Sequence, residues 1–324
     1  VKNILIILTG GTIAMKASGS LGVVPNSDFA GFLRTFPQLD KVADVDVYEY
    51  ANIPSPYVTP QIMFDLARFI DLQIIDYDGV VITHGTDTLE ETAFLCELVL
   101  TTRKPVVFTA AMRSGSDLGL DGPRNIIGAV RVASDNESAD KGVLVVMNDE
   151  IHTARDVVKS DSGKVGAFMS LGYGPLGIVD PDRVVFHRSS KNRESVWTDK
   201  LETNIDLIKA TAGFDGRYIR CSMEHHAKAI VIEAFGRGNL PESIVPDIEA
   251  AITAGILVVI CTKTYTGRVL PEYGYPGGGK HLEEIGALLA GDMKGNKVRL
   301  KLMALFGKYD DADTVKRFFL QNRN

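Results

Sequence analysis

The chain has 324 residues, with 35 Lys and Arg against 41 Asp and Glu, for a formal charge of -6. This length suggests about two domains and allows roughly three quarters of the unfolded surface to be buried, so no disulfide or metal staple is required. A hydrophobic fraction of 45% with 23% charged residues excludes wholesale disorder, and a pI near 5.6 gives no global attraction for nucleic-acid backbones.

Residues 2–8 hold a continuously apolar run, residues 4–8, closed by Thr9-Gly10-Gly11, the pattern of a buried parallel strand. The run is far shorter than the ~20 residues that cross a bilayer and lacks the cleavage site of a signal peptide. A cytoplasmic protein with no membrane contact is therefore expected. Residues 45–50 alternate as a second strand, 61–75 have helical periodicity, and 79–83 are a buried strand. Residues 88–101 read as a helix with Glu90 and Glu91 in its first turn, where the positive end of the dipole favours them. Two further strands, at 105–109 and 142–147, flank a helix over 122–135. Such alternation implies βαβ crossovers and a parallel sheet covered on both faces. Residues 180–200 turn polar, which reads as a hairpin-like excursion leading into an interdomain linker. Strands then recur at 204–209, 228–232 and 256–262, with helices at 245–254, 280–289, 297–306 and 313–321. The expected fold class is α/β: a larger N-terminal parallel-sheet domain with flanking helices plus a smaller C-terminal α/β domain. The divisions fall at 1–185 for the catalytic domain, 186–203 for a linker and 204–324 for the second domain.

Cys96, Cys221 and Cys261 are widely spaced and odd in number, so they form neither a disulfide framework nor a zinc site, and reduced thiols are expected. No His/Cys/carboxylate cluster has metal spacing, and no metal or organic cofactor is expected.

Thr9-Gly10-Gly11-Thr12-Ile13-Ala14 follows the first strand, and ligands in open α/β sheets sit outside the carboxyl ends of the strands. The glycines allow a sharp turn and close approach to a ligand, yet both phosphate-loop signatures are absent. Taken alone, Thr12 reads as an ordinary turn residue. A second cluster, Thr83-His84-Gly85-Thr86-Asp87-Thr88, lies where a buried strand gives way to a helix. Thr86, Asp87 or Thr88 can serve there as a helix cap, and His84, without metal-spaced partners, reads as structural. Lys159, in Ala154-Arg155-Asp156-Val157-Val158-Lys159, reads alone as solvated surface. Beside Asp87 and Thr86 it would orient the carboxylate and help deprotonate a hydroxyl or water.

Together these two motifs resemble the bacterial-type L-asparaginase and glutaminase-asparaginase family. The resemblance extends to Ala110-Ala111-Met112-Arg113, Asp121-Gly122-Pro123-Arg124-Asn125, the run from Gly142 to Asn148, Tyr173-Gly174-Pro175-Leu176-Gly177 and Gly236-Arg237-Gly238-Asn239-Leu240. It implies that Thr12 attacks the side-chain amide carbon of L-asparagine, forming a β-aspartyl ester and releasing ammonia, and that water then frees aspartate. It further implies a rigid triad of Thr86, Asp87 and Lys159, with Thr86 across the amide from Thr12. Backbone N–H groups near Gly11 and Thr86 are the candidates for an oxyanion hole. Asp87 would hold the substrate's α-ammonium, Ser55 its α-carboxylate, and the backbone at Ala111 would touch the leaving amide. Asn239 matches a residue supplied by a neighbouring subunit, and Glu272 is the candidate for that subunit's Glu. The implied active unit is a homodimer, within a homotetramer, with no nucleic-acid partner. Two competing readings are a glutaminase-asparaginase with substantial glutamine activity and a non-catalytic amino-acid-binding protein. The chain departs from the pattern twice. Gly19-Ser20-Leu21-Gly22-Val23-Val24-Pro25 contains no Tyr where many members carry one. Pro56 stands where a side-chain amide often helps bind substrate, which removes two donors and an acceptor and favours selection against glutamine.

Overall fold

The computed structural model describes residues 1–17, 23–25, 31, 38–190 and 193–321. The apolar run at the start becomes β1 (Asn3–Leu8), buried from Ile4 onward. Next come a small hairpin, β2 (Met15–Ala17) with β3 (Val23–Pro25), and then β4 (Asp44–Glu49) and α1 (Pro60–Gln73). Helix α1 starts as its sequence dictates. Pro60 opens the first turn, where no donor is needed, and the Thr59 hydroxyl accepts from Ile62 N. The remaining elements of this part are β5 (Gly79–Thr83), α2 (Leu89–Val99), β6 (Val106–Thr109), α3 (Gly122–Ser134), β7 (Val143–Met147), β8 (Glu150–Thr153), β9 (Val158–Lys159), β10 (Phe168–Met169), β11 (Gly177–Val179) and β12 (Val184–Phe186).

Eight strands form one sheet in the order β12-β11-β8-β7-β6-β5-β1-β4. The five from β7 to β4 run parallel. Successive side chains of such strands point to opposite faces. Ile4, Ile6, Leu8, Val81, Val107, Leu144 and Val146 accordingly pack with Ile126, Ala129, Val130 and Ala133 of α3. The alternate set, including Leu5, Ile7, Ile82, Phe108 and Val145, is equally buried, and α2 lies against β6 and β7. The sheet is not parallel throughout: β8, β11 and β12 join antiparallel. The cause is the two-residue link Asn148-Asp149, with φ of +50° and +63°, a turn that returns the chain beside its own strand. The hairpin-like segment likewise begins earlier than its polar composition implies. Strands β11 and β12 pair with each other, and β11 pairs with β8, so the hairpin belongs to the main sheet.

The chain divides into two compact units, Val1–Arg193 and Glu194–Asn324. The second holds β13 (Ile205–Lys209), α4 (Arg217–Glu224), β14 (Ala229–Ala234), α5 (Val245–Thr253), β15 (Leu257–Thr262), α6 (Gly279–Glu284), β16 (Leu288–Leu289), α7 (Gly295–Lys308) and α8 (Ala312–Gln321). Its four strands are parallel in the order β13-β14-β15-β16. The single helix expected over 280–289 is instead α6 followed by β16. Gly286 adopts a φ of +107°, which stops the helix and frees Leu288 and Leu289 to pair with β15. Cys96 and Cys261 are buried, Cys221 is exposed, and all three are free thiols. Among the described residues no helix is long and apolar enough to cross a membrane, and no group of three or more His, Cys, Asp or Glu is placed to hold a metal.

Candidate active site

The carboxyl ends of β1 and β5 are tied together: Thr9 Oγ1 and Thr9 N both donate to Thr83 O, at 2.8 and 3.2 Å. Beyond Thr9 the chain needs two glycines. Gly10 and Gly11 have φ of +108° and +85°, a region that side-chain-bearing residues rarely enter. Space is equally restrictive. A Cβ on Gly11 would lie 2.4 Å from the Cα of Gly85, and one on Gly85 would lie 2.5 Å from the Cβ of Ser55. The loop after β1 and the loop after β5 therefore meet backbone to backbone, and the second of them presses against the Ser55 side chain. Thr12 starts a single 3-10 turn, Thr12–Ala14, and is half-buried.

Ser55 is buried and works in two directions: its hydroxyl accepts from Asp87 N at 3.3 Å and its carbonyl from Thr88 Oγ1 at 2.9 Å. That leaves Thr88, at the N-cap of α2, with no side-chain capping bond. The capping explanation for this cluster thus does not describe where its side chains go. Lys159 Nζ lies 3.0 Å from Thr86 Oγ1 and 2.6 Å from Asp87 Oδ1. The lysine side chain is 18% exposed and the Asp87 side chain 56%, so the cation is sheltered while the carboxylate keeps an open side. Two adjacent residues and a lysine more than 70 positions later thereby become one polar cluster at the end of a buried strand.

The segment after β6 is held by side chains that sequence reasoning quoted without assigning a task. Asp121 accepts from Met112 N and Arg113 N, both at 3.0 Å, and from Asn125 Nδ2 at 3.1 Å. Asn125 Nδ2 also donates to Ala110 O at 2.9 Å, and its Oδ1 accepts from Asn148 N at 3.0 Å. The signal was two polar residues, Asp121 and Asn125, flanking Pro123 four positions apart, a spacing that puts both on one helix face. A Cβ on Gly122 would meet Ile13 Cγ1 at 3.1 Å and the Ala111 Cβ at 3.5 Å, so Ala111 lies beside the loop that carries Thr12.

His84 is wholly buried, with Nδ1 2.8 Å from Gly85 O and Nε2 3.0 Å from Thr92 Oγ1, in keeping with a structural role. Burial pushes its pKa from 6.5 down to about 4. The unfolded chain therefore takes up the proton first as pH falls. Stability from this group is complete above pH 6.5 and is lost as pH falls toward 4. A displacement of this size corresponds to about 3 kcal/mol. Urea unfolding at pH 7.5 and 4.5 should show a correspondingly larger acid loss in the native chain than in His84→Gln. Equal losses in the two proteins would remove His84 as the cause.

Asn239 and Glu272 lie in the second unit, in segments that follow β14 and β15. Asn239 is half-buried and its Oδ1 accepts from Gly279 N at 3.3 Å. Glu272 is exposed and pairs with Arg237 Nε at 3.0 Å. Gly19-Ser20-Leu21-Gly22, the first part of the stretch without Tyr, lies outside the described residues, and Val23–Pro25 form β3.

Two family models match the chain: "Asparaginase, N-terminal" over residues 3–192 and "Glutaminase/Asparaginase C-terminal domain" over residues 204–319. A probable L-asparaginase of Deinococcus radiodurans is 38% identical over 98% of this chain and 96% of that protein. An L-asparaginase of Bacillus licheniformis is 33% identical over 96% of this chain and 97% of that protein. A glutaminase-asparaginase of Acinetobacter glutaminasificans is 32% identical over 98% and 99%.

Proposed function

The chain belongs to the asparaginase and glutaminase-asparaginase family, and from that membership we propose that it hydrolyses the side-chain amide of L-asparagine to L-aspartate and ammonia. The observation that carries this reading is the Lys159 ammonium bridging Thr86 Oγ1 and Asp87 Oδ1, beside the contact of Gly11 with Gly85. In the first half-reaction Thr12 Oγ adds to the amide carbon. The C–N bond breaks, and the amide nitrogen leaves as ammonia with the proton that Thr12 gave up. In the second, water adds to the β-aspartyl ester and the C–O bond breaks. Thr12 regains a proton and aspartate departs. Splitting the hydrolysis in two lowers each barrier, provided the weak hydroxyl nucleophile is activated. With no Tyr in residues 19–25, either another group activates Thr12 or the Thr86-Asp87-Lys159 relay carries more of the load.

Asp87 has the charge and the open side to receive the α-ammonium, and Ser55 Oγ to receive the α-carboxylate. Backbone N–H groups near Gly11 and Thr86 stabilise the tetrahedral oxyanion, and the Ala111 backbone faces the leaving amide. Asn239 and Glu272 reach the site from a neighbouring copy, so the active unit is a homodimer, assembled into a homotetramer. The three free thiols agree with a cytoplasmic location.

Glutamine is the second substrate to be weighed, because a glutaminase-asparaginase is among the similar proteins. It is one methylene longer than asparagine, and one methylene is worth on the order of 10- to 200-fold in kcat/KM. Pro56, in the 3-10 turn Ser55–Tyr57, offers no amide to help hold the longer chain. Ammonia release from the two amides on one purified sample should favour asparagine by a factor in that range. Parity moves the protein to the glutaminase side. Aspartate binding without release from either amide leaves a binding protein.

A further inference from the structure

We propose that Glu90 is a positioning residue for Lys159, a role that rests on the hydrolase reading above. Lys159 does not come from the main sheet. It sits on the two-residue strand β9, in the segment that leaves the sheet after β8 and rejoins it at β11. Among the described residues strand β9 pairs only with β10, in the register Val158 with Met169 and Lys159 with Phe168. Ser160 N donates to Ala167 O at 2.7 Å, which makes 160 and 167 a hydrogen-bonded pair. Hydrogen-bonded and non-bonded pairs alternate in antiparallel ladders, so the Lys159 N–H points away from β10, toward the open edge of β9.

At that edge the Glu90 carboxylate accepts the Lys159 N–H, with Oε2 2.6 Å from the nitrogen. Hydrogen bonds to an ionised acceptor are shorter and stronger than neutral ones. Glu90 stands in the first turn of α2, three residues after Asp87 in the chain. One rigid helix start therefore presents the two groups that meet the Lys159 ammonium and also holds the lysine's main chain. The favourable placement of an acid at a helix start does not require this contact. The two roles respond differently to substitution. A dipole role needs the charge and survives Glu90→Asp. A positioning role needs an acceptor at the right reach; it survives Glu90→Gln and is lost in the shorter Glu90→Asp.

The test is kcat and KM for asparagine, with thermal unfolding, in the native chain and in Glu90→Ala, Glu90→Asp and Glu90→Gln. Misplacement of a reacting group by about 1 Å can cost about 100-fold in rate, and a smaller drift costs less. Glu90→Ala and Glu90→Asp should lose roughly 10- to 100-fold in kcat with KM nearly unchanged, while Glu90→Gln stays close to the native rate. Native kcat in Glu90→Ala, or a loss in Glu90→Gln as large as in Glu90→Asp, overturns the proposal. If Glu90→Ala does not fold, the Asp and Gln variants decide. Hydrogen exchange of the Lys159 amide separates this proposal from the hydrolase reading. Protection in the native chain and Glu90→Gln, lost in Glu90→Asp, supports the hold of Glu90 even in a protein that releases no ammonia. Equal exchange in all of them overturns it.

Discussion

Thr12→Ala should give a folded protein whose ammonia release from asparagine is slower by a factor on the order of 10⁴ or more. In the proposed mechanism the alanine removes the oxygen that forms the β-aspartyl ester. What survives is binding and oxyanion stabilisation, which act on a direct attack by water. Stability should change little, because Thr12 is half-buried in a single 3-10 turn and is not part of the hydrophobic core. Thr12→Ser, which keeps the hydroxyl, should retain far more of the rate. The measurements are an ammonia assay on all three proteins, thermal unfolding, and trapping of the acyl-enzyme by rapid quench and mass spectrometry. Thr12→Ala with native kcat would falsify the assignment of the nucleophile.

Lys159→Met ranks second in expected effect. A methionine fills much of the same space but offers no charge and no donor, so the Thr86 hydroxyl loses its partner at 3.0 Å and the Asp87 carboxylate its partner at 2.6 Å. Groups that manage protons in the transition state contribute roughly 10²- to 10⁴-fold, and kcat should fall within that range. KM should move far less. Asp87 keeps its charge and its open side, so the α-ammonium still has a carboxylate to meet. Lys164→Met is the control, since its side chain is 80% exposed and pairs only with Asp161 nearby in sequence. If both substitutions change kcat equally little, Lys159 is an ordinary surface lysine. That is how it reads in the sequence when taken alone.

Much of the fold could be read from the chain because the physics is local. Strands buried on both faces must be nearly continuously apolar, and β1, β5, β6 and β7 are, with polar residues only at a strand end (Asn3, Thr83 and Thr109). The antiparallel extension was not read, because its cause is the backbone of two residues, Asn148 and Asp149, and no apolar pattern reports that. The split of 280–289 into α6 and β16 was hidden in the same way by the one glycine at 286. At the candidate site, the motif residues could be named but their meeting could not. Lys159 reaches Thr86 and Asp87 through a two-residue strand with little pattern of its own. Glu90 looked sufficiently explained by its place in a helix's first turn, and Asp121 stood only as part of a matching run. Each has a partner on another segment, Lys159 N for one and Met112 N and Arg113 N for the other, which only the tertiary structure identifies.

The contact between Gly11 and Gly85 bears on how such a protein can be re-engineered. The spacing of the two loops is fixed by main chain against main chain, with 2.4 Å left for any added Cβ on Gly11. No rotamer sets that distance, so no rotamer change can widen it. If the proposed substrate site is right, substitutions at the neighbouring positions, Pro56 among them, should alter which amide is accepted while the gap across the two loops stays as it is. On the proposed function, selectivity and catalytic alignment are thus separate dials, and libraries aimed at the first should leave both glycines untouched.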